Sequence, residues 1–337
     1  NATSPNLLGG YSGNSVTAGV VGATIAGGGD ASRLNYVSDN YGTVGGGSSN
    51  SAGDHAGTPS DREYATVGGG HHNSASGTHA TVGGGYDNGA NGDSATIGGG
   101  IDNTASGHRS TIGGGYDNSA SGDRSTIGGG NTNTASSTSS TVGGGYQNTA
   151  SGVSSTVGGG SGNTASGRWA TVPGGSYNVA NGDWSLAAGR AASADHYGQM
   201  AYASGSFAAT GDAQASLYVL RRAATMAAGA WYELFLDGVD DRLTLAAGRT
   251  LTFDLRLSAR TAAGESAGYR IEGVIENAGG TTALVGTPVV TVLGEDDAAW
   301  DAQVSADDGN DALLIQVQGN GETIRWVATV DTAEVAW

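Results

Sequence analysis

Carboxylates, histidines and aromatic rings at fixed spacing are the residues of this chain that could do chemistry. Glu295, Asp296, Asp297, Asp301, Asp307, Asp308 and Asp311 crowd into a short stretch. Calcium takes six to eight oxygen ligands, so Asp296, Asp297, Asp307 and Asp308 are the candidate ligands. The stretch has neither the acid spacing nor the closing Glu of an EF-hand, and solvated turns would have the same composition. No other cofactor is expected. His71, His72, His79 and His108 would need to converge to hold a metal; otherwise they are exposed turn residues. Tyr86, Tyr116 and Tyr146 recur every 30 residues. Such a row could stack sugar rings or pack against a neighbouring chain. Together with Trp300 they are the candidate ligand-binding aromatics, while core packing is the plainer role for Trp300. No nucleophile elbow or phosphate-binding loop occurs, and the Gly-Gly-Gly triplets are not followed by Lys. Asp87, Asp102 and Asp117 form a column of like charges, either wet or faced by Arg109 and Arg124. No catalytic set emerges, and the expectation is that the chain is not an enzyme.

These residues are positioned by a repeat. Thr-Val or Thr-Ile opens a block at Thr66, Thr81, Thr96, Thr111, Thr126, Thr141, Thr156 and Thr171, 15 residues apart each time. The block reads T-[VI]-G-G-G-x-x-N-x-A-[SN]-G-x-x-[SA]. Asn73 through Asn178 and Ala75 through Ala180 keep the same period, as does a later Gly (Gly77, Gly92, Gly107, Gly122, Gly152), replaced once by Ser137. Looser versions begin at Thr24 and Thr43, with insertions before the next block. Fifteen residues with one Val or Ile and one Ala cannot fold alone, so the blocks must stack. The spacing predicts coils with two short strands, at T-[VI] and near N-x-A, and turns at the two Gly sites. Parallel strands lie about 4.8 Å apart, so eight coils span on the order of 35 to 40 Å. Val67 through Val172 would line the inside, facing the Ala column across a thin core. Burial at about 25 cal/mol per Å² returns little for 15 ordered residues. That deficit points to several chains packed side by side.

Composition narrows the classes. The chain has 337 residues, 63 of them Gly, with no Cys and a net charge of -17. All 14 basic residues are Arg. This charge disfavours nucleic acid and anionic membrane surfaces. Without Cys there is no disulfide framework. No apolar run is long enough for a membrane helix, so no membrane insertion is expected. The chain starts at Asn1 without a signal-peptide pattern, which reads as a fragment or processed product.

From about Leu186 the repeat degrades, and from about Ser216 apolar residues alternate in short runs, among them LYVL at 217–220, LTFDLRL at 251–257, YRIEGVI at 269–275 and TIRWVATV at 323–330. Period-two alternation bounded by Gly, Asp and Asn predicts strands, and eight or nine of them predict a β-sandwich or jelly roll. The expected domains are irregular early repeats at 1–65, regular repeats at 66–185, a capping segment at 186–215 and the sandwich at 216–337.

Two resemblances follow from these residues. The block, with [ST]-[VI]-G at its start and A-x-G-x-x-[SA] at its end, resembles the head repeats of trimeric autotransporter adhesins, the YadA-like left-handed parallel β-roll. It departs from them in carrying a Gly triplet, and no coiled-coil stalk or membrane barrel follows. The second half resembles the C-terminal domain of phage tail fibre proteins, through HYGQMAYASGSFAATGDAQASLYVLR (196–221), ELFLDG (233–238), EGVIENAGGTTALVG (272–286), EDDAAWDAQVSADDGNDALLIQVQG (295–319) and TIRWVATVDTAEV (323–335). The first implies three chains around one axis. The second implies a trimeric fibre end that binds a host surface. The expected fold is therefore all-β: a trimeric left-handed β-roll followed by a sandwich.

The expected function is a structural and receptor-binding fibre of a virion tail, or otherwise an extracellular protein. Its partners would be two copies of itself, other virion or fibre proteins upstream, and a host receptor, glycan by expectation. Three weak sites on one rod would act through avidity. The alternatives are a bacterial surface adhesin or a self-assembling extracellular filament, and a lattice-binding solenoid.

Overall fold

A computed structural model describes residues 4–337, and among these there is strand, turn and loop but no helix. No helix is therefore long and apolar enough to cross a membrane. The chain divides into two compact units, Asn1–Trp169 and Ala170–Trp337.

The first unit is a parallel β-solenoid. Each coil contributes two strands of two residues. Thr66–Val67 pairs with Thr81–Val82, which pairs with Thr96–Ile97, always parallel and with Thr on Thr. The row runs from Leu7–Leu8 to Thr156–Val157, ten strands among the described residues. A second row runs from Ser15–Val16 to Thr164–Ala165, and in it Ala75, Ala90, Ala105 and Ala120 stand in register. The two-residue periodicity of a strand sends Thr outward and Val or Ile inward, so Val67, Val82, Ile97 and Ile112 are fully buried, as are the alanines. The period of 15, the inward Val/Ile column and the facing Ala column match the expectation.

The turns differ from it. The regular coils carry a left-handed residue at three corners, and two of these are as a rule not Gly, Gly162 being an exception. One column holds Asp87, Asp102, Asp117 and Thr132, and the other holds Ser94, Arg109, Arg124 and Ser139, all with φ between 53° and 58°. The third Gly of the triplet occupies the remaining corner. At Gly115, with φ of 101°, an added Cβ would lie 2.1 Å from the Gly130 carbonyl oxygen of the next coil. The later Gly column is not left-handed. It is Gly because the coils nearly touch there: a Cβ on Gly77 would lie 2.1 Å from the Gly92 oxygen.

The asparagines form a buried spine. Asn118 is buried, and its amide nitrogen donates to the carbonyls of Gly114 at 3.1 Å and Gly130 at 3.0 Å. Its backbone N–H and side-chain amide both donate to Asn103 Oδ1, at 3.1 and 2.9 Å. Its own Oδ1 accepts from Asn133 in the same way. This ladder satisfies carbonyls that the Gly triplet would otherwise leave unpaired inside the solenoid.

The second unit begins with three more coil strands of the first type, Thr171–Val172, Leu186–Arg190 and Met200–Ser204, joined by parallel pairing. Met200–Ser204 then pairs antiparallel with Ala213–Thr225. That strand opens an antiparallel sheet in the order Ala213–Thr225, Thr323–Ala336, Arg249–Thr261, Ser266–Asn277, Val289–Glu295. A smaller sheet centres on Ala312–Gln318, flanked by Asp301–Asp307 on one edge and by Trp231–Glu233 and Leu243–Thr244 on the other. Alternate residues of the long strands, including Leu255, Ile271, Trp326 and Val330, share one core with Leu313, Ile315 and Val317 of the small sheet. The alternating runs read from sequence all fall in or beside these strands.

Three substitutions test the solenoid. Asn118→Ala leaves the Gly114 carbonyl and the Asn133 N–H unpaired, while the Gly130 carbonyl keeps the Tyr116 N–H; at about 1–3 kcal/mol for each orphaned group, the unfolding free energy should fall by at least about 2 kcal/mol. Ser125 Oγ is buried without a hydrogen-bond partner, so Ser125→Ala should be neutral or stabilising by about 1 kcal/mol. Thr132 is β-branched and left-handed, so Thr132→Asn should stabilise by about 1 kcal/mol. Denaturant melts of the three variants read all three signs.

Candidate functional site

A cavity of about 560 Å³ lies within the second unit. Its wall is built from the loop Asp195, His196 and Gln199, from Gln214 and Tyr218 of the first long strand, and from Asp241, Thr244 and Arg249. Asn310, Asp311 and Glu334 complete it. The switch from coil to antiparallel sheet produces this convergence: the loop after Ser193–Ala194 lies over the start of the long strands, whose polar residues there face inward.

Glu334 anchors the polar floor, with a side chain 2% exposed. Arg249 Nη1 donates to its Oε2 at 2.6 Å, and Gln214 to the same oxygen at 3.1 Å. Thr332 and Tyr218 hydroxyls donate to Oε1, at 2.8 and 3.1 Å. Burial raises the Glu334 pKa, but the hydrogen bonds from Ser216, Thr332 and Gln214 and the Arg249 charge outweigh it, and the carboxyl is held below the ordinary glutamate range. Burial, with the Glu334 charge beside it, pushes the Tyr218 hydroxyl well above its ordinary value, so it stays a donor. Gln199 is buried, and its amide reaches Ser216 Oγ at 2.9 Å and Tyr218 at 3.0 Å.

The upper wall is more open. His196 Nε2 lies 3.0 Å from the Thr244 hydroxyl, and its Nδ1 lies 3.3 Å from Gln199 Oε1. Burial raises the Asp241 pKa, opposed by the nearby His196. Asp311 accepts from Asn277 at 3.0 Å and from Thr282 at 2.8 Å. The lining holds four carboxylates, Asp195, Asp241, Asp311 and Glu334, against Arg249 and His196. Its volume and its few convergent polar groups fit a small-molecule or sugar-sized site. The acceptor surplus suits hydroxyl- or amine-bearing ligands and repels anions.

The residues singled out from sequence lie elsewhere. Tyr86, Tyr116 and Tyr146 stand on the solenoid surface, each 47% exposed. They belong to one parallel column, Tyr86, Ile101, Tyr116, Asn131, Tyr146, in which each residue bridges to the next. Trp300 does not offer a ring face to a ligand. It is 2% exposed and tilts against Trp326 in the core at 6.0 Å. The four acids expected to converge on calcium do not meet. The strand Asp301–Asp307 separates the two pairs, and seven residues at about 3.3 Å each span roughly 20 Å. Two of the acids serve their own turns, Asp297 accepting from the Ala299 N–H at 2.8 Å and Asp307 from Gly309 at 3.0 Å, and two tie distant segments, Asp296 accepting from the Ser266 N–H at 2.7 Å and Asp308 from Thr282 at 2.7 Å. The histidines stack instead of clustering: His71 lies on Tyr86 at 5.3 Å and His79 on Tyr64 at 5.0 Å. Sequence missed the cavity because its residues are spread from 195 to 334 with no local motif. The one available signal was Glu334, an acid inside an otherwise alternating strand.

No known protein family matches the chain, and no curated protein matches it. Solved structures do. The tailspike protein gp49 of Acinetobacter baumannii bacteriophage Fri1, a capsular polysaccharide depolymerase, matches over 90% of this chain and 67% of its own, at 9% identity and a TM-score of 0.24. The Acinetobacter baumannii phage AM24 tailspike matches over 94% and 68%, at 10% identity and a TM-score of 0.23. The tailspike of Acinetobacter phage vB_ApiP_P1 matches over 98% and 81%, at 9% identity and a TM-score of 0.23. Overlaps this loose do not superpose the chains. One expectation is nevertheless corrected: a glycan-cleaving protein stands among the matched structures, so the absence of a legible catalytic motif is no ground for calling the chain a non-enzyme.

The floor of the cavity has a pH signature. Because the folded Glu334 pKa lies below its unfolded value of about 4.3, its contribution is complete above that pH and is lost as pH falls through the folded pKa. Asp241 has the opposite sign, so Asp241→Asn should raise Tm at pH 7. Glu334→Gln strands Arg249 in a largely buried pair and should cost about 3 kcal/mol, and it should remove this residue's share of the acid limb. Thermal melts of both variants between pH 3 and pH 8 check these signs.

Proposed function

We propose that this chain is a structural and receptor-binding fibre protein of a phage-type tail, a homotrimer with a left-handed β-roll shaft, whose second unit contacts glycan on a host cell surface. The observation that carries the trimer is the strand Val289–Glu295. Every residue of it is exposed, with Val289 at 60% and Leu293 at 63%. It is an edge strand, apolar on both faces, of the kind a monomer must cover. The thin solenoid core supports the same reading.

Glycan is the ligand class that suits the cavity, because sugar hydroxyls can donate to its carboxylates and accept from the Arg249 guanidinium, which has donors beyond the one given to Glu334. Neutral and amino sugars fit its charge better than uronic acids. The column Tyr86, Ile101, Tyr116, Asn131 and Tyr146 repeats an apolar surface along the shaft, available to sugar rings or to a neighbouring chain. Three cavities on one rigid body multiply a weak affinity through effective concentration.

Light scattering of the purified chain should give the mass of three chains, and Val290→Asp with Leu293→Asp should lower it. A monomeric wild type removes the trimer, and an open-ended polymer favours an extracellular filament. Thr244→Trp, which narrows the cavity mouth, should abolish retention on host capsular polysaccharide without changing the mass. Reducing ends released in the same assay would read cleavage. Tyr116→Ala separates the two roles of the column: reduced retention at constant mass assigns it to sugar, and reduced mass assigns it to the chain contact.

A further inference from the structure

The first unit contains one place where the repeat is broken by an acid. Asn35 heads a coil in which Val37 takes the Ala position and Asp39 the position of the close-contact glycines. In the regular coils that position is Gly, or once the small Ser137, because the next coil lies close against it, as Gly77 illustrates. Asp39 is nevertheless 1% exposed, and the following coil makes room for it. That coil reaches Gly53 and then departs into an insertion before returning at Ala65. Gly53 is left-handed at φ of 105°, and a Cβ on it would lie 2.1 Å from Asp39 Oδ2 and 2.1 Å from Ser38 Oγ. The carboxylate occupies space that backbone fills elsewhere.

One side of this carboxylate is satisfied. Oδ2 accepts from Ser38 Oγ at 2.8 Å and from the Asp54 N–H at 3.0 Å. The other oxygen, Oδ1, is shut off from solvent and has no hydrogen-bond donor. The insertion then brings in two more acids. Asp39, Asp54 and Asp61 each offer a carboxylate oxygen, and the three oxygens lie within 4.8 Å of one another. Arg62 Nε is 3.8 Å from Asp54 Oδ2, but the same guanidinium also pairs with Asp93. One shared positive charge faces three carboxylates. A buried carboxylate oxygen with neither donor nor counter-charge is strongly disfavoured, and the segment that encloses it is the one that delivers the two additional acids.

We propose that Asp39, Asp54 and Asp61 form a divalent cation site of the calcium class, which clamps the insertion at residues 54–61 onto the coil beneath it. The donors are all hard oxygens, and the chain has no Cys. The nearest imidazole is engaged elsewhere: His55 stacks on Tyr36 at 4.5 Å, and its Nε2 lies 2.5 Å from Ser51 Oγ. This donor set excludes the thiolate and imidazole ligands preferred by zinc. Calcium needs six to eight oxygens. The three carboxylates supply one oxygen each, and Asp61, the exposed member, leaves a side open for the waters that complete the shell. Magnesium, with its strict octahedron, fits a site of three flexible carboxylates less well. The site is independent of the glycan cavity and of the trimer.

The test uses the full chain, stripped with a chelator and titrated with CaCl2 by calorimetry, alongside thermal melts with and without 1 mM CaCl2. One equivalent per chain is expected at this site, with a Tm rise of about 5 °C when calcium exceeds its Kd a hundredfold. Asp39→Asn should abolish that equivalent and the Tm rise while leaving the calcium-free protein as stable as wild type or more so. Asp61→Asn, at an exposed position, should weaken binding at least tenfold without affecting the fold. MgCl2 should bind at least tenfold more weakly than CaCl2. The proposal is overturned if the wild type takes up no calcium at 1 mM, as would follow if Asp39 and Asp61 simply share a proton. It is equally overturned if both variants bind calcium as wild type does, because the ion then sits elsewhere.

Discussion

Successive coils of the first unit approach until backbone touches backbone, and nearly everything else in that unit follows from this closeness. At the Gly77 column and at the third glycine of each triplet there is no room for a Cβ. Small residues are therefore imposed, apolar side chains shrink to one Val or Ile and one Ala per coil, and the hydrophobic contribution is correspondingly slight. What holds the stack is hydrogen bonding between coils. The strands supply part of it, and the asparagine spine supplies the part the glycine corners cannot.

The same closeness explains where exceptions can occur. The close-contact column admits a side chain rarely: Ser137 is the one small replacement in the regular coils, and the larger Asp39 is followed by an insertion that makes room for it. Surface variation is cheap at the two left-handed corners, where side chains project outward. These corners hold Asp, Arg, Ser, Thr and Trp in no fixed order. The solenoid thus separates an invariant interior from a surface that can be rewritten one coil at a time.

The second unit follows different physics. Long strands with alternating burial share a core of large side chains, so polar groups inside it are individually costly and must be paired. Glu334 is tolerated because Arg249, Gln214, Tyr218 and Thr332 all reach it. This arrangement leaves a rigid polar floor under an open cavity, the combination that ligand sites require. The exposed strand Val289–Glu295 is the opposite case, an apolar surface for which the chain alone provides no cover.

The sequence by itself determined the elements that repeat or alternate. A 15-residue period with one apolar residue at a fixed place admits only stacked coils, and period-two runs such as LTFDLRL admit only half-buried strands, because side-chain direction is a local property of the backbone. Which corners are left-handed was less legible: Asp tolerates positive φ, but Arg, Ser and Thr in the same columns give no sign of it. The role of the asparagines was hidden as well, because a turn and an internal ladder favour the same residue type. Tertiary structure alone decided the sites. Asp296, Asp297, Asp307 and Asp308 are close in sequence, yet a strand divides them, while Asp39, Asp54 and Asp61 are dispersed, yet the coil pitch and an insertion bring them together. Gln199, Arg249 and Glu334 meet across strands far apart in the chain. Proximity of this kind depends on register and coil pitch, which belong to the folded stack and not to any short stretch of residues.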